Sequence, residues 1–471
     1  MTPLLLGGEM PHWSDASPVG GAALRELVGA ARGHTLVVGP HDPALIDGIP
    51  ARHVTVLVRG VPDAEALAAR YASRPGIEVC CGSLEKLAAV PAYDTVIALD
   101  GLDRTGSTET ADMSWAAGFS LLLAVLRPGG RLLLGVSNPV GVHRLLAYAS
   151  EPGNAEWAAP PEDDPTRPAG PARIGERVRE GGSAVLRMYA AYPSPREPRV
   201  LLSEGVLEAP GLAGYVSGVL RRAGTSGERM LADPRPVSVQ LLRHGLAAGL
   251  APGWVVVAGH GGAVLPEAVV AEGSSVQVLH RASADWIRVA GAGRAGEVVP
   301  AGRCLHDLLL AALRGRDMGR VRGLLGAWQG GEFAGVDADA IVVDVEGRLH
   351  GLAEPSGPGE AFGRFVRAVG DEGQGHLWPP GETAARPSPE ALREVSAAHD
   401  RLARELDEAR AQASWYEGRL AVRDAELARA YRIIGLLKGT VPGRAATAVR
   451  GALRTGKRAA RTALNRIHPN H

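Results

Sequence analysis

The apolar positions of the first third of the chain follow two rhythms. Short unbroken runs alternate with segments in which apolar residues recur three and four apart. The runs at 34–38, 54–58, 77–80, 93–99 and 131–136 read as strands. The periodic segments at 22–31, 64–71 and 115–126 read as helices, and 84–90 as a short helix or turn. Arg127-Pro128-Gly129-Gly130 supplies a sharp reversal before the last strand. Strands apolar on both faces, alternating with helices, predict an α/β fold with a doubly wound, mostly parallel sheet. In such sheets a ligand sits beyond the carboxyl ends of the strands. The informative residues are therefore 39–42, Arg59, Gly82, Ser83 and 100–103.

Downstream the rhythm changes. Residues 155–173 are rich in Pro, Asp and Glu, which reads as a linker. A first domain over 1–150 and an α+β module over 174–380 are expected. Within the module, strands are predicted at 184–190, 200–202 and 254–258, with 276–279 and 286–289 as antiparallel partners. Helices are predicted at 241–250, 304–313 and 321–328, and 340–350 reads as a hairpin. Ser388-Pro389-Glu390 then opens a helix as cap, first residue and first-turn acid. Its apolar seam, from Leu392 and Val395 to Ile434 and Leu437, predicts a coiled coil over 388–438 and self-association. The tail, 440–471, carries Arg444, Arg450, Arg454, Lys457, Arg458, Arg461 and Arg466, with Val449, Leu453, Leu464 and Ile467 near one face. That pattern suits an anionic membrane surface better than nucleic acid, since no aromatic platform accompanies the charge.

Composition adds bounds. At 471 residues, two or three domains are expected. Lys+Arg and Asp+Glu balance at 51 each, so the whole chain projects no field toward polyanions. Three cysteines, Cys80, Cys81 and Cys304, are too few and too odd for a disulfide framework and fit a reducing compartment. The N-terminus lacks a basic region and a long apolar run, and no stretch is long enough to span a bilayer. A cytoplasmic protein, peripheral at the inner face of the membrane, is expected.

YDTVIALDGLDR (93–104) and LRPGGRLLLGV (126–136) carry a resemblance. Over about residues 30–145 the chain resembles the class I, Rossmann-like S-adenosylmethionine-dependent methyltransferases. The resemblance implies S-adenosyl-L-methionine as cofactor, with Gly39, Asp42, Ser83 and Asp100 as the residues that bind it. Asp63 and Asp103 are further acids near the strand ends, and His41 is a candidate base. The catalytic residue stays unassigned and no metal is implied. Three positions depart from the family pattern. Pro40 and Pro43 remove backbone donors from the first loop. Arg59 stands where the family carries an acid for the ribose hydroxyls. Ser83 stands where it carries Asp.

The 340–350 hairpin is similar to one in kinase-like phosphotransferase folds, with Asp337 or Asp339 before it and Ala353, followed by Glu354, at the second acid position. A Gly-rich phosphate loop, a Lys–Glu pair and a catalytic loop are missing, so kinase activity is not expected. The order of methyltransferase, kinase-like module and coiled coil also resembles bifunctional enzymes that cap bacterial surface polysaccharides. The resemblance implies a methyltransferase for a sugar, polysaccharide or small-molecule acceptor. The alternative is a catalytically inactive scaffold in cell-surface polysaccharide assembly, oligomerised by its coiled coil.

Overall fold

The computed structural model describes residues 2–107, 113–147, 164–225, 230–262, 264–273, 275–291 and 295–375. The predicted coiled coil and basic tail lie outside the described residues. In chain order the elements are β1 (Leu4–Gly7), α1 (Ala22–Val28), β2 (His34–Val38), α2 (Pro43–Asp47), β3 (His53–Val58), α3 (Val61–Arg70), β4 (Ile77–Gly82) and β5 (Tyr93–Ala98). Then come α4 (Trp115–Ala124), β6 (Leu126–Ser137), α5 (Val142–Leu145), α6 (Pro171–Glu180), β7 (Ala184–Tyr192), β8 (Val200–Ser203), α7 (Glu204–Leu207), α8 (Ala213–Arg222), α9 (Pro234–Arg243) and β9 (Gly253–Gly259). The last are β10 (Ala268–Glu272), β11 (Ser275–Ala282), β12 (Asp285–Ala290), β13 (Glu297–Val298), β14 (Arg303–Cys304), α10 (Leu305–Arg314), α11 (Met318–Gln329), β15 (Ile341–Val343), β16 (Leu349–Gly351) and α12 (Pro358–Asp371).

Among the described residues thirteen strands form one sheet in the order β1-β4-β3-β2-β5-β6-β9-β7-β8-β10-β11-β12-β13. From β1 to β6 the pairing is parallel. β9 lies antiparallel between β6 and β7, and every pair beyond β7 is antiparallel. The parallel half follows from alternation. Val37, Val56, Val79, Ile97 and Leu133 face α1, α2 and α3, while Leu36, Val38, Leu57, Val96 and Leu132 face α4 and α6. Both sets are buried, as helices on both faces require.

The division expected near residue 150 does not interrupt this sheet. β6 pairs with β9 from Arg131↔Gly259 to Ser137↔Gly253, across more than a hundred residues of chain. The physical reason is edge satisfaction. β6 is buried from Arg131 to Val136, so its second edge needs a partner, and the fully buried β9 provides it. The module expected over 174–380 is in part the other half of the same sheet, with a separate three-stranded sheet β14-β15-β16. There β15 and β16 form the expected hairpin, Val343 opposite Leu349. Among the described residues no group of three His, Cys, Asp or Glu side chains is arranged to hold a metal, and no helix is long and apolar enough to cross a membrane.

Some boundaries moved. The reversal at 127–130 is absorbed into β6 as a register irregularity, with Gly129 at φ 78°. The helix expected at 241–250 is α9, earlier by about two turns, because Asp233 caps it by accepting from Arg235 N and Gly245 ends it at φ 69°. α6 begins inside the expected linker. The three cysteines are buried free thiols. Burial, aided by nearby acids, pushes Cys80 and Cys81 up to about 11 and Cys304 to about 12.

Candidate functional site

The chain runs β2, β3, β4 outward on one side, then returns to place β5 on the other side of β2. The crevice beyond the carboxyl ends of β2 and β5 is thus the topological switch point, where open α/β sheets take ligands. Gly39 closes β2 at φ 90°, a left-handed conformation that favours glycine. A Cβ built there lies 3.7 Å from Asp100 Cβ, so these two strand ends meet.

His41 ties them together. Its Nδ1 lies 3.0 Å from the Gly39 carbonyl oxygen, which only an N–H can satisfy. Its Nε2 therefore accepts, and Leu99 N donates to it at 3.3 Å. Both ring nitrogens are used and the side chain is buried. Burial also pulls its pKa below the ordinary histidine value, against the favourable Gly39 bond and Asp100 charge. His41 is a neutral clamp between β2 and β5, with no free nitrogen for the candidate base role.

The Asp100 side chain is 3% exposed, and Arg104 grips both its oxygens at 2.7 Å. Arg104 reaches on to the carbonyls of Ala16 and Ser17. Asp42 caps α2, accepting from Ala44 N at 2.7 Å, and packs its Cβ 2.8 Å from where a Gly20 Cβ would be. Ser83 is 0% exposed at the end of β4, and its Oγ has no hydrogen-bond partner. It lies two strands from β2, about 10 Å away by strand spacing. Asp63 accepts from Ser14 Oγ and Asp15 N, and Asp103 holds Arg167 through two bonds. The structure thus brings Gly39 and Asp100 together, places Ser83 farther along the same rim, and uses Asp42 as a helix cap.

The residues at the rim that sequence reasoning missed come from the N-terminal segment. Residues 10–20 cross the strand ends, with bridges Met10↔Gly60 and Val19↔His41. Arg59, at the end of β3, is 1% exposed and pairs with Asp15 through two bonds of 2.9 and 2.7 Å. Trp13 covers the guanidinium at 5.7 Å. Burial alone would raise the Asp15 carboxyl, but Arg59, Trp13 Nε1 and Arg104 outweigh it and hold Asp15 below the usual carboxylate range. The end of β3 thus carries an arginine neutralised by an acid from elsewhere in the chain. A buried arginine at the end of an apolar strand is the signal, since it demands an anionic partner. Nothing local says which one.

No protein-family model matches the chain, and neither does any curated protein. Solved structures similar to it include the 1,6-didemethyltoxoflavin-N1-methyltransferase of Burkholderia thailandensis with bound 1,6-didemethyltoxoflavin and S-adenosylhomocysteine. That likeness has 15% identity, 51% of this chain, 79% of that one and a TM-score of 0.27. An S-adenosylmethionine dependent methyltransferase from Mesorhizobium loti is similar at 14% identity, over 51% of this chain and 99% of that one, TM-score 0.27. The [4+2]-cyclase SpnF is similar at 15% identity, over 50% and 80%, TM-score 0.27.

Proposed function

We propose that the protein is an S-adenosylmethionine-dependent methyltransferase for a sugar-type or small-molecule acceptor, its cofactor bound at the carboxyl ends of β2, β4 and β5. The observation that carries this reading is Ser83. A fully buried hydroxyl without a partner costs about 1–3 kcal/mol, and a polar ligand group at the end of β4 would remove that cost. Gly39 leaves the loop backbone open beside Asp100. Asp100 keeps accepting capacity, because the fork of Arg104 uses only part of what a carboxylate offers. The residues present fit the cofactor at these three positions. The bound cofactor supplies an electrophilic methyl group, and the protein's task is positioning. Arg104 fixes Asp100, and His41 fixes the spacing of β2 and β5.

A second reading is favoured by one observation. Arg59 and Asp15 close the end of β3, where the cofactor's ribose would be held. A sheet closed in this way would serve as a catalytically inactive scaffold. Calorimetric titration of the full chain with S-adenosylhomocysteine separates the two. Saturable heat that is lost in Gly39→Val and weakened in Ser83→Ala supports the enzyme. No heat up to about 1 mM ligand, the range of the weakest specific sites, supports the scaffold. Self-association through 388–438 belongs to both readings. A chain truncated at Pro387 that sediments like the full-length protein would remove it, and loss of vesicle binding on truncation at Thr440 would support the basic tail.

A further inference from the structure

At the opposite end of the sheet, the amino ends of β2, β3 and β5 surround a cavity of 680 Å³. Its rim carries Arg32, Arg52, Arg127, His34 and His53, against a single carboxylate, Asp94. Three guanidinium groups with one acid is a local excess inside a chain that is neutral overall. The excess is felt nearby: burial and the charge of Arg32 together hold Arg131 below its ordinary value.

The one acid is already committed. Asp94 Oδ2 accepts from His34 N at 2.8 Å and from Arg127 Nη1 at 2.8 Å. Gly33, at φ 61°, lets the chain pass beside it, since a Cβ there would sit 2.2 Å from the same oxygen. Arg127 is thereby held at the rim. The guanidinium groups of Arg32 and Arg52 form no hydrogen bond or ion pair among the described residues, and only the Arg32 backbone is engaged, to Thr95 and Thr35. His34 and His53 meet edge to face at 6.1 Å and line the same cavity. One arginine is pre-positioned and two are free, around a space larger than a single small anion needs.

We propose that this cavity binds a diphosphate group, free or as part of a nucleotide or sugar diphosphate. Guanidinium forks match phosphate oxygens in pairs, and three of them around one space suit two linked phosphates. The site is separate from the switch-point crevice, so it does not rest on the methyltransferase reading. As the arginines are exposed, binding is salt-sensitive.

Inorganic pyrophosphate is the probe, titrated into the full chain by calorimetry at low ionic strength. Saturable heat is expected. Arg32→Ala/Arg52→Ala should weaken it at least about tenfold, the change expected when charge-assisted bonds of more than about 1.4 kcal/mol are lost. Arg127→Ala should weaken it as well, while Arg173→Ala, on the exposed face of α6, leaves it unchanged. A nucleoside diphosphate run in parallel identifies the source: tighter binding than pyrophosphate assigns a nucleotide, equal binding a free diphosphate. All the substituted side chains are exposed, and circular dichroism checks that the variants fold. Absence of saturable heat, or equal binding by the double variant, overturns the proposal. So does displacement by short duplex DNA at lower concentration than pyrophosphate.

Discussion

Arg59 is the side chain on which the rim of the sheet depends. Its charge is out of water and its partner is a single acid, Asp15. Removing the acid leaves a buried, unpaired guanidinium, so Asp15→Ala should lower stability by about 3–5 kcal/mol. Asp15→Leu combined with Arg59→Met should recover much of it. Urea midpoints of the parent chain and the two variants decide, and a loss under about 1 kcal/mol for Asp15→Ala would mean the pair is not buried as described. Histidines set a different sensitivity. Burial, and then Arg144, holds His143 at about 4, below its ordinary 6.5, and burial lowers His41 too. Between those pH values the unfolded chain takes up protons that the native chain refuses, so stability falls on acidification. For His143 alone the loss reaches roughly 2 kcal/mol by about pH 5. His143→Gln should flatten that part of the stability–pH curve. Asp15, held low, adds its own loss only below about 3.8. At this scale the sequence marks Arg59 as anomalous, yet it cannot name a partner 44 residues away.

Among elements, the N-terminal segment shows what patterning cannot convey. β2, β3 and β5 announce themselves as buried runs and are found within a residue or so of their expected ends. β1 does not, because Leu4 and Leu5 are about half exposed and the segment is fixed by backbone contacts. Those contacts need glycine on the receiving side. A Cβ at Gly60 would sit 2.3 Å from the Trp13 carbonyl oxygen, and one at Gly82 2.6 Å from that of Gly7. Gly60→Ala should therefore lift residues 10–20 from the strand ends, at a cost of about 1–3 kcal/mol. A red shift and increased quenching of Trp13 fluorescence would report it. Unchanged emission would show that the segment accommodates the methyl group without moving. If the segment limits access to the crevice, the same variant binds S-adenosylhomocysteine more tightly than the parent chain.

For the whole molecule, the pairing of β6 with β9 has the largest consequence. The Pro- and acid-rich stretch after residue 150 has the composition of a linker, and composition does not reveal that the chain returns to the sheet a hundred residues later. A fragment ending at residue 150 leaves β6 with a bare apolar edge and should aggregate. A soluble, folded fragment by circular dichroism and sedimentation would contradict the continuous sheet. The buried thiols then offer something separate from stability or binding. Cys80 and Cys81 lie in the parallel half, Cys304 at the edge of the small sheet, and none reacts while its surroundings stay closed. The rate at which each is alkylated is therefore a clock on how often its own region opens. Placed by nature on two separate sheets, the three sulfurs let one native chain report which of them breathes first.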